Sequence, residues 1–152
     1  NADYALYQKA VLNGVTSSKA KIEQLNTLQR LFPLSNLIPD ANIEIAKTLM
    51  ADEKFNEAIP YLKNVINAPQ NTGFKQDALL RLGVCYYNMN KKEDALAQYK
   101  KLLQQYPNSE EAEFALENIR SIYVEMGKPQ DYEDFVRSTG KNVSMTEAYS
   151  LA

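Results

Sequence analysis

One interval runs through this chain. Ala46 and Gly83 stand 37 residues apart (83 − 46), and so do Ala58 and Ala95. Leu49, Tyr86 and Tyr123 keep the same spacing, as do Leu62, Tyr99 and Val136. Pro33 and Pro107 are separated by two intervals. A period of this size constrains the fold more tightly than composition does. Each unit is too small to bury an apolar face alone, so it buries that face on its neighbours and the chain becomes a solenoid. The units fall near 1–36, 37–73, 74–110 and 111–138.

The third unit gives the clearest view of what repeats. Leu79, Leu82, Tyr86 and Met89 recur at three or four residues, the spacing of one helical face. Leu96, Tyr99, Leu102, Leu103 and Tyr106 repeat the pattern after a polar break at Asn90-Lys91-Lys92. Gly83 and Ala95 supply one small residue per helix, where backbones can approach closely. Pro107 ends the second helix, because it has no amide hydrogen and restricts Tyr106 before it.

The other units follow suit. Tyr4, Leu6, Tyr7 and Val11 mark a first helix over Ala2–Leu12, ended by Asn13-Gly14. Thr16, Ser17 and Ser18 offer caps for a helix whose face is Ile22, Leu25, Leu28 and Leu31. Pro39 or Asp40 suits the first turn of the next helix, and Asp52-Glu53-Lys54 breaks it from Phe55–Asn67. Pro60 is expected near the first turn there. The longest loop signal is Ala68–Gly73. Asn108 or Ser109 caps a helix whose apolar set is Phe114, Leu116, Ile119, Ile122, Tyr123 and Met126. A short helix over Gln130–Arg137 comes next, and a capping box at Ser144–Glu147 predicts a further helix near 144. Both ends stop within helical patterns, which suggests a fragment of a longer protein.

These landmarks resemble the tetratricopeptide repeat family. The pattern of that family is met by Leu79, Leu82-Gly83, Tyr86, Ala95, Tyr99 and Pro107. Unit two looks like a divergent copy, with Ile45-Ala46, Leu49, Ala58, Leu62 and Pro69. Lys9 and Lys21 in the first unit, and Arg120 and Tyr132 in the last, stand where small residues are expected, which predicts looser packing or caps at the ends. The resemblance implies an all-α, right-handed α-α superhelix of about four helix pairs. The usual period is about 34 residues, so each unit here carries roughly one extra helical turn. The wording of the third unit is also similar to repeats of bacterial envelope proteins, namely the outer-membrane assembly lipoprotein and the Tol–Pal coordinator. That implies a periplasmic or outer-membrane-associated setting.

In this family the first helix of each pair lines a concave groove. Transferring that face gives Lys47 and Met50 in unit two. It gives Leu80, Arg81, Val84, Tyr87 and Asn88 in unit three, and Asn118 and Ser121 in unit four. Tyr86 takes the packing position, and Tyr87, about 100° round the helix, either faces the groove or packs on an adjoining helix or chain. A subclass holds a peptide carboxylate with Lys and Asn at set groove positions; Leu6 and Ala10 occupy those of the first unit, which argues against such a clamp.

Composition bears on the alternatives. Hydrophobic residues are 45% and charged ones 24%, at formal charge −2 and pI near 5.3. No basic surplus suggests nucleic acid, and no apolar run reaches membrane-spanning length. There is no histidine, the usual general base and commonest metal ligand. Cys85 reads as a packing residue, and Glu110-Glu111 and Asp131-Glu133-Asp134 read as acids placed at helix starts. Asn142-Val143-Ser144 matches a glycosylation sequon. The expected function is a protein-binding scaffold without catalysis, cofactor or metal. The alternatives are a spacer or self-association module, and an enzyme using acidic residues.

Overall fold

The computed structural model describes residues 1–13, 17–69 and 73–139. They form eight α-helices and no strand: α1 (Ala2–Asn13), α2 (Ser18–Leu31), α3 (Ile38–Ala51), α4 (Phe55–Asn67), α5 (Lys75–Asn88), α6 (Lys92–Gln105), α7 (Glu110–Glu125) and α8 (Pro129–Ser138). Consecutive helices pack on one another along the whole array, and α5 also touches α7 across the intervening α6. The result is a solenoid of four helix pairs. The Gly14 and Thr16 signals, the middle of the loop signal at Gln70-Asn71-Thr72, the sequon and the Ser144–Glu147 capping box lie outside the described residues.

Local chemistry sets the boundaries. Ser17 accepts from the Ala20 amide and Ser109 from the Ala112 amide, each satisfying an otherwise orphaned N–H at a helix start. Pro39 sits in the first turn of α3 and Pro129 in that of α8, where no amide hydrogen is needed. The turn inside the second, third and fourth pairs repeats in detail. Glu53, Asn90 and Gly127 take the left-handed conformation, with φ of 60°, 60° and 71°. Lys54, Lys91 and Lys128 follow them, and each donates its backbone N–H 2.8 Å to a carbonyl five residues back, on Leu49, Tyr86 and Tyr123. This is the Schellman closure of a helix, used three times at one register.

The core divides in two. The first half contains Ala10, Leu25, Ile45, Ala46, Leu49, Leu62 and Val65, together with Ala78, Leu82 and Cys85 from α5. The second contains Leu79 from α5 with Tyr99, Leu102, Leu103, Ile119, Ile122, Tyr132 and Val136. Helix α5 is the wall between them, and half-buried Tyr86 and Ile66 touch both. Gly83 brings α5 against α6: a β-carbon there would lie 2.6 Å from Cζ and 2.7 Å from Cδ1 of Tyr99.

Several expectations from spacing need correction. Leu31 is 58% exposed although Leu25 and Leu28 are fully buried. A spacing of three loses about 60° per step on a helix of 3.6 residues per turn, so Leu31 has rotated off the face set by Ile22. Phe114 is 56% exposed, and Ala112 and Ala115 take the buried face of α7 instead. Pro60 lies in the second turn of α4, past the first turn where a proline costs no hydrogen bond; its ring is exposed. Tyr4 and Leu12 are exposed, whereas Ala41, Ala78 and Ala115, at the register of Tyr4, are fully buried. The end units are not uniformly loose, since Tyr132 is fully buried where a small residue was expected.

Candidate functional site

The α5–α7 contact builds a cleft of about 310 Å³ lined by Val84, Tyr87, Tyr99, Asn118, Ser121, Ile122 and Glu125. Its shape follows from the register. Val84 and Tyr87 are one turn apart on α5, and Asn118, Ser121, Ile122 and Glu125 descend two turns of α7. Tyr99 reaches the cleft from α6 through the space that Gly83 leaves open.

The cleft has an apolar wall and a polar mouth. Val84 is half-buried, and Ile122 is buried. Tyr87 is 37% exposed and donates its hydroxyl to Oε1 of Glu125 at 2.6 Å. That bond, with the nearby negative charge, pushes the Tyr87 phenol above its ordinary pKa. Lys92, at the start of α6, lies 3.5 Å from Oε2 of the same carboxylate. Burial pushes Tyr99 up to about 12, while its hydrogen bond with Asn118 acts in the opposite sense.

Four of the nine expected groove residues, Val84, Tyr87, Asn118 and Ser121, meet in this cleft. The other five do not line it. Asn88 donates its side-chain amide back to the Val84 carbonyl at 2.8 Å, within its own helix. Arg81 pairs with Asp77 one turn away, Nε to Oδ2 at 2.8 Å. Leu80 leans on the second core and Met50 on the first. Exposed Lys47 lies 3.3 Å from Glu44, which Lys21 of α2 approaches at 2.9 Å. Burial alone would raise the Glu44 pKa, but the two lysines hold it below the usual value. In α1, Leu6 is half-buried and Ala10 is enclosed in the core.

Sequence reading missed Glu125, Lys92 and Tyr99 as members or neighbours of this cleft. Glu125 had a signal: it stands at the register of Asn88 in the next unit, and Val124 at that of Tyr87. Lys92 and Tyr99 come from the second helix of the pair, which a first-helix rule passes over. Among the described residues, no group of three or more His, Cys, Asp or Glu side chains could hold a metal ion. No described helix is long and apolar enough to cross a membrane. Cys85 is buried, and its thiol is pushed up to about 11 by burial, with Arg81 opposing; that keeps it a poor nucleophile.

Comparison with known proteins gives the same architecture. Residues 77–109, which cover most of α5 and all of α6, match the tetratricopeptide repeat family. No curated protein matches the chain. Among solved structures, the chain is similar to MamA. It superposes on MamA 41-end from Desulfovibrio magneticus RS-1 with a TM-score of 0.69 at 15% identity, over 97% of this chain and 76% of that one. A structure titled "Crystal structure of MamA" gives 0.70 at 18% identity, over 91% and 77%. The MamA RS-1 ArsTM double mutant gives 0.70 at 15%, over 97% and 76%. At these identities the likeness is one of fold.

Proposed function

We propose that this chain is a non-catalytic scaffold that holds a segment of another protein along the face formed by α1, α3, α5 and α7. The observation that carries this reading is the α5–α7 cleft. It sets an exposed tyrosine beside an aliphatic wall, with amide, hydroxyl and carboxylate groups around it. Aromatic anchors of this kind dominate binding energy, and polar groups at the rim fix register. The match to the tetratricopeptide repeat family over α5 and α6 supports a protein partner. A preformed helical array also loses little conformational entropy on binding. A bacterial envelope setting belongs to the same proposal, and fractionation of cells expressing the full-length protein tests it.

The test is capture of a partner on the intact array, followed by titration against variants. Tyr87→Ala should weaken binding by more than about 1 kcal/mol with little change in melting temperature, since the ring is in contact with solvent. Arg81→Ala probes the expected groove six residues earlier on α5. Undiminished partner binding by both variants would rule out the groove.

A second reading, self-association or a spacer role, draws on α1. Tyr4 is 55% and Leu12 69% exposed there, at positions the inner units cover. Light scattering over a range of concentrations separates the readings, since concentration-dependent dimers lost in Leu12→Lys would favour the second.

A further inference from the structure

We infer that the α5–α7 cleft takes a basic side chain, Lys or Arg, from the bound segment; this rests on the groove reading above. The polar groups of the cleft are mostly acceptors. Tyr87 already donates its hydroxyl hydrogen bond to Glu125. Asn118 is engaged in a hydrogen bond with Tyr99. The acceptors a guest meets include the Glu125 carboxylate, the Tyr87 oxygen and the Ser121 hydroxyl oxygen.

Glu125 is the one charged residue in the lining, so the charge a guest touches inside the cleft is a carboxylate. Lys92 stands beside that carboxylate without lining the cleft, and the pair is open to water at 34% and 40% exposure. An exposed pair of this kind is weak, so an incoming cation can share or displace it. A Lys or Arg stem fits along Val84, with the head over the Tyr87 ring and against Glu125. An acidic guest would be repelled. A purely apolar guest would strip water from Glu125 without replacing its hydrogen bonds. The volume, about 310 Å³, admits a long side chain and is too small for a whole helix.

The experiment is a titration of the isotopically labelled chain, followed by amide NMR, with N-acetyl-arginine methylamide and N-acetyl-lysine methylamide. The glutamate and norleucine analogues serve as controls. Basic probes should shift amides around Val84, Tyr87, Ser121 and Glu125, and the controls should not. Glu125→Gln should weaken the basic probes about tenfold. Lys92→Met should tighten them, because the carboxylate loses its competing cation. Shifts scattered over the surface, equal shifts from the norleucine analogue, or indifference to Glu125→Gln would overturn the inference. If the captured partner still depends on Tyr87 in that case, the groove reading stands while the basic guest falls. If the partner ignores Tyr87→Ala but basic probes still fill the cleft, the groove reading alone falls.

Discussion

Gly83 and Tyr99 exchange volume across one helix pair. Sixteen residues separate them, as they do Ala46 from Leu62 and Arg120 from Val136, so the smallest first-helix residue meets the largest partner. Tyr99, Leu62 and Val136 are all buried, and the half-buried Arg120 turns to an ion pair with Glu117. A methyl at Gly83 collides with a ring that is only 2% exposed. Overpacking of that kind costs about 1–3 kcal/mol, against about 1 kcal/mol gained in helix propensity. Gly83→Ala should therefore destabilise the array by about 1 kcal/mol. The same change made with Tyr99→Leu rebuilds the Ala46–Leu62 pairing. Urea denaturation of the four species in a double-mutant cycle should show a favourable coupling of about 1 kcal/mol or more. Zero coupling would mean that the two residues do not meet. Gly83 could be read from sequence because a glycine inside a strong helical pattern needs a packing reason. Asn42 could not: it is a polar residue inside the core, held there by Gln29 at 2.8 Å, and spacing alone gives it no partner.

At the level of elements, the turn within the second, third and fourth pairs demands a left-handed residue, filled by Glu53, Asn90 and Gly127. Glycine adopts this conformation freely and asparagine tolerates it, but a long side chain is strained there by about 1–2 kcal/mol. Glu53→Gly should raise stability by about 1 kcal/mol, and Gly127→Ala should lower it by a similar amount; thermal melts of both check the sign. The helices themselves were almost fully legible. Phe55–Asn67 was read to the residue, and the capping Ser17 and Ser109 were both among the named candidates. Faces were less legible than boundaries. Leu31, Phe114 and Tyr4 match an apolar pattern, yet what covers a position depends on the neighbouring element, and spacing within one helix carries no record of it. The cleft was half legible for the same reason. First-helix residues could be transferred by register, whereas Tyr99 and Lys92 arrive from the second helix.

Across the whole molecule, three weak acids, buried Tyr99 and Cys85 and half-buried Tyr7, resist ionisation. Tyr7 and Tyr99 are each raised from 10.0 to about 12, by burial first; Glu44 and Asp40 add to the effect at Tyr7. The Cys85 thiol is raised from 9.0 to about 11, again by burial. The folded chain thus keeps protons that the unfolded chain releases. The stability these groups contribute is complete below about pH 9 and is lost as pH rises through about 9–12. Urea midpoints measured from about pH 8 to about pH 11 should fall steadily, and a flat profile would show that the three groups are solvated. The division of the core at α5 has a different consequence. Ala78, Leu82 and Cys85 belong to one half and Leu79 to the other, so neither half closes without this helix. In a repeat array each half can open locally at its own free energy. The cleft lies wholly within residues 84–125, on the α5–α8 side. A guest held there would slow amide exchange from α5 to α8 and leave α1 to α3 exchanging at the rate of the free chain. Occupancy would thus be recorded as a boundary in time along the sequence, drawn at the helix both cores share.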